Sequence, residues 1–575
     1  MSPSRSGSAL LLTLLLSALA TKVALPAQDD GFTQAMERYR AMRERPSLNR
    51  RIEGRRLLVQ TGDPRVLEVL RADYDDPGEP EEMVRSVILT ELADFWRGEP
   101  ITSVWRQWRS TRAEKGDAWL WYRALCVEGV GAAGSWREIF AERLPTELRA
   151  VVLSAAAFAP DGPTLDEATL ALISSTIERL PTRSYERALI LEGLAGLFEK
   201  RGKELDARQR AVLRGLASEM GDRNTSQRTR IVLARTLGRD DIGPDAAGWL
   251  ELLADVPTEE LELAYAKRRA KSIPGFFGIP QHGGSIAYVI DASDSMLEPL
   301  TPRELDEMQP LTGAGRKSGA RDAGPKRVDA AERAVDWSKV KNRFDAATEL
   351  LKLALRRLSR EQRFTVVIFG DQAEYLPATH GLVEASEDNV RKVCEQIDAI
   401  EPQPDRAINR HRPHGVLRGD TNLHGGMLLA FRAGQVKKTR AVKPSDDKPA
   451  HRSSNGPPKE AKAQPEPAWV PLDERGVDTI YLLSDGAPSA DNWNGTDTND
   501  GSIVQDPETK QQSERTGTVV YPGPFAWPPY LVPDLRRLNL LQRSAIHCIG
   551  LGEADFTLLE KIAAVGHGQV IKIGR

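Results

Sequence analysis

Five oxygen-bearing side chains form a set able to do chemistry. Asp291-Ala292-Ser293-Asp294-Ser295 places a carboxylate and two hydroxyls at alternate positions, directly after the apolar run Ile286-Ala287-Tyr288-Val289-Ile290. Asp485 ends a second such run, Thr479-Ile480-Tyr481-Leu482-Leu483-Ser484-Asp485-Gly486, and Thr421 opens a helical pattern within Gly419-Asp420-Thr421-Asn422-Leu423. Two carboxylates and three hydroxyls, with no imidazole or thiolate, suit a hard cation: Mg²⁺ first, with Mn²⁺ or Ca²⁺ as substitutes. His411, His414 and His424 lie near Thr421 in the sequence, but nothing pairs them with a nucleophile, so they read as polar loop residues. Cation binding without catalysis is the expected chemistry, and no catalytic residue is assigned.

The elements that must position these groups follow from the apolar patterning. The runs at 286–290, Phe364–Phe369, 479–483 and Ala545–Ile549 are continuous, as strands covered on both faces are, and Val570–Ile573 reads as an edge strand. Between them lie helical patterns at 340–358, 387–399, 422–433 and 555–565. Strands alternating with helices predict an α/β, doubly wound, mostly parallel sheet over residues 285–575. Ligands of such sheets bind at the carboxyl ends of the strands. Insertions at 297–338 and 487–531 then emerge on the face that carries Asp291 and Asp485. Segment 400–420, with Arg406, Arg410, Arg412 and Arg418, joins them beside Thr421. A Lys/Pro/Ser-rich insertion at 435–476 falls near the opposite face and is expected to be disordered.

Residues 31–270 read as helices throughout. Leu170, Ile173, Ile177 and Leu180 share one face, followed by Ala188, Leu191, Ala195 and Phe198 on the next helix. A second pair repeats this spacing (Val212, Leu213, Leu216 and Met220, then Ile231, Ala234 and Leu237) at an offset of about 40 residues, within the range of HEAT-like repeats. Such arrays offer a surface to a partner, and a second partner is expected there. Trp96, Trp105, Trp108, Trp119 and Trp121 fall at helical spacing and read as core rather than as a ligand cage. Residues 271–284, rich in Pro and Gly, read as a linker.

Residues 1–20 combine Arg5, a short apolar run at 9–16 and small residues ending Ala18-Leu19-Ala20, the pattern of a cleavable signal peptide. The expectation is an exported protein, periplasmic or extracellular, with no membrane span after cleavage. The length of 575 residues allows about two to four domains. A net charge of -3 supplies no basic surface for nucleic acid. Three distant cysteines, Cys126, Cys394 and Cys548, exclude a zinc ribbon and a disulfide framework.

The order Asp291-x-Ser293-x-Ser295, Thr421, Asp485 resembles the metal-ion-dependent adhesion site of the von Willebrand factor A family. The resemblance covers residues 285–575, about half the chain. It implies that Ser293 and Ser295 are direct hydroxyl ligands, that Thr421 engages in the partner-bound state, and that Asp291 and Asp485 act largely through water. It also implies a protein partner that offers an Asp or Glu to the metal. Asp294 departs from the family pattern, which often has glycine there, and adds a negative charge beside the cation. Arg418-Gly419-Asp420 spells an adhesion tripeptide, but reads as coincidence in a loop that the fold sets beside the metal. The Asp/Asn-rich stretch 491–501 has the wrong register for a calcium loop. Two other functions compete: a metal-dependent hydrolase, and a helical-repeat scaffold whose metal site is idle.

Overall fold

The computed structural model describes residues 28–44, 48–76, 82–95, 101–111, 117–128, 135–158, 167–182, 184–199, 207–220, 223–237, 239, 242–254, 275–312, 335, 337, 340–370, 373–400, 421–435, 476–488, 503–505, 512–514 and 528–574. The expected signal peptide at 1–20, segment 401–420 and most of the insertions lie outside these residues. By compactness the chain divides into residues 1–79 and 80–575.

In the first unit α1 (Gln28–Arg43), α2 (Leu48–Gln60) and α3 (Val66–Asp75) surround a buried carboxylate. Asp73 accepts from the Tyr39 hydroxyl at 2.5 Å and from Arg55 Nε at 2.8 Å. Among the described residues, ten helices open the second unit: α4 (Glu82–Phe95), α5 (Ile101–Thr111), α6 (Ala118–Glu128), α7 (Ser135–Ala141), α8 (Thr146–Phe158), α9 (Glu167–Glu178), α10 (Tyr185–Glu199), α11 (Ala207–Ser218), α12 (Arg223–Leu237) and α13 (Ala246–Leu252). Helices α4, α6, α8, α10 and α12 pack one on the next as a row, and α5, α7, α9 and α11 each pack on the helix that follows them. The expected pairs at 167–198 and 207–237 are α9/α10 and α11/α12, and the region is a stack of repeated helical pairs. Leu191, Ala195, Leu213, Leu216, Leu233 and Trp249 form their shared core. Trp105, Trp108, Trp119 and Trp121 are each at most 2% exposed, so these four are core, as their spacing suggests.

The strands are β1 (Gly275–Phe276), β2 (Ile279–Pro280), β3 (Ser285–Asp291), β4 (Arg363–Phe369), β5 (Ala373–Tyr375), β6 (Val383–Glu384), β7 (Thr479–Ser484), β8 (Ile503–Gln505), β9 (Gln512–Glu514), β10 (Ala545–Leu551) and β11 (Val570–Ile573). The main sheet runs β11-β10-β7-β3-β4-β5, with β6 also on β4. Every pairing in it is parallel except those of β5 and β6. All residues of β3, β7 and β10 are buried, which is why these segments are apolar without alternation. Helices α14 (Pro302–Met308), α15 (Arg343–Arg356), α16 (Glu387–Asp398), α17 (Leu423–Arg432), α18 (Pro528–Gln542) and α19 (Phe556–Val565) complete the second unit. One sheet face packs Tyr288, Ile290, Val366 and Leu483 against α15 and α16. The other is covered by α17 and α19.

Two sequence expectations change. Within the expected linker 271–284, residues 275–280 form the β1–β2 hairpin, whose two turn residues Phe277 and Gly278 both have positive φ (48° and 80°). Phe276, Phe277 and Ile279 are buried, and the Phe276 ring stands edge-on to Tyr288 at 5.3 Å and Tyr481 at 5.7 Å. Three apolar anchors outweigh the local Pro/Gly signal. The helical surface expected to be open to a second partner is, along its inner row, packed against the sheet domain. Helix α18 lies on α4 and α6, and Tyr530 donates to Glu91 of α4. Arg543 donates to Ser154 of α8 at 2.8 Å and pairs with Glu192 of α10 at 3.5 Å, while Gln227 of α12 donates to Thr479 at 3.3 Å.

Helix α17 lies close on the sheet because Gly426 lacks a side chain. A β-carbon there would come within 2.9 Å of Phe369 Cδ1 and Val289 Cγ1. Gly426→Val should therefore destabilise the domain by about 2 kcal/mol and lower its thermal midpoint. A melt indistinguishable from wild type would refute this tight packing.

Candidate functional site

The site lies where the chain leaves β3 for β4 on one side while β7 flanks the other, the switch point of a doubly wound sheet. Ile290 sits beside Leu483, which brings Asp291 and Ser484-Asp485 to neighbouring strand ends. Asp291 is fully buried and accepts at Oδ1 from the Ser293 amide (2.8 Å) and at Oδ2 from the Ser484 hydroxyl (2.5 Å). The Ala292 amide donates to Phe369 O at 2.7 Å, tying this loop to β4. Ser293 ends the extended segment, and a 3₁₀ turn over Asp294–Leu297 carries Ser295 back over the strand ends.

Ser293 Oγ and Ser295 Oγ lie 3.2 Å apart, and Ser295 Oγ donates to Asp485 Oδ1 at 2.6 Å. With its proton given to Asp485, the Ser295 oxygen keeps lone pairs for a cation. Neighbouring ligands of an octahedral Mg²⁺ at about 2.1 Å stand roughly 3 Å apart, so the two hydroxyls have suitable spacing. A β-carbon on Gly486 would lie 3.6 Å from Ser295 Oγ and 3.8 Å from Thr421 Oγ1, so both hydroxyls flank one backbone position. Thr421 is 4% exposed. The next residue, Asn422, donates its amide to Gly370 O at 2.6 Å and caps α17 by accepting from the Gly425 amide at 2.9 Å.

Burial, and then the neighbouring Asp485 charge, push Asp291 up to about 7, against the hydrogen bonds from Ser484 and Ser293. Burial also raises Asp485, while Ser295 and Arg343 oppose it. Carboxylates raised by desolvation, and Asp291 further by the Asp485 charge, would be eased by a nearby cation. Among the described residues no group of three or more His, Cys, Asp and Glu gathers that could hold a metal. The donor set here is instead three hydroxyls with two carboxylates, which fits a hard ion.

Other residues fall elsewhere. His424 stands on the first turn of α17, not in a loop. It is fully buried, with Nε2 2.9 Å from Asp534 Oδ2. Against the upward push of burial, the Arg537 charge and the His424 hydrogen bond hold Asp534 far below the usual carboxylate range. This buried tie joins α17 to α18. His411, His414, residues 418–420, the arginines of 400–420 and stretch 491–501 lie outside the described residues. Sequence reasoning missed Ser484 and Arg343. Ser484 was signalled by its place on the strand before Asp485. Arg343 donates through Nη1 to Asp485 Oδ2 at 3.1 Å, and nothing in the sequence set it apart from Asp345, Glu349, Lys352 and Arg356, the other charges of the same helix.

Residues 334–418 and 535–571 match the family described as von Willebrand factor type A domain. The matched segments include α15, β4–β6 and α16, then most of α18, β10, α19 and the start of β11. They do not include Asp291, Ser293, Ser295, Thr421 or Asp485. No curated protein matches the chain. The matched segments belong to one mostly parallel, doubly wound sheet and its covering helices, with β3 and β7 lying between their strands, so the C-terminal part of this chain is a von Willebrand factor type A domain, preceded by a region of stacked helical pairs.

Proposed function

We infer that this domain, given its family match, serves protein–protein interaction or adhesion. We propose that this one captures partners through a divalent cation, Mg²⁺ in the first place, held at Ser293, Ser295 and Thr421 with Asp291 and Asp485 behind them. The observation that carries this reading is the Ser295–Asp485 hydrogen bond beside the Ser293 hydroxyl. It orients two neutral oxygens toward one point and keeps both carboxylates close. When bound, the cation supplies an electrophilic position that an aspartate or glutamate of the partner completes. Asp291 orders the Ser293 loop and Ser484, Asp485 holds the Ser295 proton, and Thr421 stands ready at the opposite loop. In this reading the protein is not an enzyme: the Ser295 and Ser484 hydroxyls that donate to Asp485 and Asp291 serve to build the cation site rather than to attack a substrate.

The exported location rests on the pattern of residues 1–20, and among the described residues no helix is long and apolar enough to cross a membrane. The test is capture of envelope or culture-medium proteins by the purified chain in Mg²⁺ and in EDTA, with N-terminal sequencing of the exported form. We expect Mg²⁺-dependent capture that is lost when the partner's Asp or Glu is replaced, and a mature terminus at Thr21, with Gln28 as the second candidate. Capture that is equal in EDTA would support a helical scaffold with an idle metal site. Turnover of a substrate would support a hydrolase.

A further inference from the structure

Arg343 links the candidate cation site to a part of the fold outside it. Its guanidinium, 6% exposed as a residue, meets three carboxylates: Glu304 Oε1 from Nε at 2.9 Å, Glu298 Oε2 from Nη1 at 2.7 Å, and Asp485 Oδ2 from Nη1 at 3.1 Å. Glu304 is fixed in turn, since its Oε2 accepts from the Thr301 amide at 2.7 Å and hydroxyl at 2.8 Å in the capping box of α14. Two glycines leave room for the pair. At Gly552 (φ 56°) a β-carbon would lie 2.2 Å from Arg343 Nη2, and at Gly574 (φ 86°) 2.5 Å from Glu304 Cγ. Arg343 is thus enclosed by α14, the turn after β10 and the end of β11.

We propose that Arg343 is the positioning residue of the cation site. It holds Asp485 by Oδ2 so that Oδ1 takes the Ser295 proton, and it anchors that geometry to Glu304 on α14. The inference rests on the reading of these hydroxyls and carboxylates as a metal site. Glu298 and Glu304 balance the guanidinium charge locally, so the arginine orients Asp485 without presenting a net positive charge to an incoming cation. A planar fork meets Glu304 and Asp485 at once, whereas a single ammonium keeps the charge but cannot span both. Without either, Asp485 rotates and Ser295 loses its acceptor.

The test is calorimetric titration of the full chain with Mg²⁺ for wild type, Arg343→Lys and Arg343→Met. Metal-free melts establish that each is folded, and electron paramagnetic resonance of bound Mn²⁺ reports the site's symmetry. We expect Arg343→Met to weaken Mg²⁺ binding tenfold or more and Arg343→Lys about threefold to fivefold. The Mn²⁺ spectrum should change in both. A folded variant of either kind that binds Mg²⁺ as tightly as wild type overturns the inference, and Arg343→Lys decides it if Arg343→Met does not fold. Failure of wild type itself to bind Mg²⁺ or Mn²⁺ overturns the metal reading and this inference with it.

Discussion

Asp291→Ala should abolish measurable Mg²⁺ binding, a loss of about a hundredfold or more, while leaving the domain folded. Asp291 accepts from the Ser293 amide and the Ser484 hydroxyl, so it sets both the loop that carries one hydroxyl ligand and the strand end that carries Asp485. The sheet has its own core, so the domain stays folded without metal; loss of this acceptor from the Ser293 amide and Ser484 hydroxyl costs about 1–3 kcal/mol, offset in part by removal of a desolvated carboxylate. Mg²⁺ at about a hundred times its dissociation constant stabilises wild type by roughly 2.7 kcal/mol, and Asp291→Ala should lose that increment. Thr421→Ala should behave differently. Its hydroxyl lies across Gly486 from Ser295, and we expect Mg²⁺ affinity to fall no more than about threefold while partner capture falls at least tenfold. Calorimetry and melts of the three proteins, with and without EDTA, make the comparison. Equal Mg²⁺ affinity in wild type and Asp291→Ala would place the cation elsewhere.

Acidification should weaken the metal site and strengthen the metal-free fold. Burial and the Asp485 charge raise Asp291 from 3.8 to about 7. A cation needs that carboxylate ionised, so below about pH 7 a proton competes and Mg²⁺ affinity falls by up to tenfold per pH unit. The sign for stability is the reverse. A group whose folded value lies above its unfolded one binds its proton more tightly when folded. Its favourable contribution is complete below about 3.8 and is lost as pH rises through about 7, on the order of 2–4 kcal/mol for this group. Thermal midpoints in Mg²⁺ and in EDTA should therefore converge between pH 8 and pH 5. A constant gap across that range would contradict the assignment.

Much of the scaffold is legible in the sequence. Strands β3, β4, β7 and β10 are buried on both faces and therefore read as unbroken apolar runs, and the residues that end β3 and β7 mark a strand-end site in a parallel sheet. Ser293 and Ser295 are legible because alternate positions after a strand turn toward one side. The doubling of helices at 167–198 and 207–237 is legible because each pair must bury the same stripe.

Only the tertiary structure decided the rest. The Pro/Gly stretch before β3 reads as a linker, yet Phe276, Phe277 and Ile279 find a buried aromatic surface made by Tyr288 and Tyr481, which come from strands distant in sequence. Glu91, Ser154, Glu192 and Gln227 look like ordinary polar helix residues, and their shared role against α18, Arg543 and β7 exists only once the helices stack. His424 reads as a polar loop residue until Asp534, far along the chain, is seen 2.9 Å from its Nε2 in a buried pair. Arg343 follows the same rule. Local periodicity reports which face of an element is apolar, because burial is repeated along it. A single charged side chain carries no period, so its partner is set by which elements the fold brings together. Repeated burial makes the sheet and the helical pairs readable along the chain, whereas the Arg343–Asp485 contact exists only because α14, α15 and the strand ends pack together.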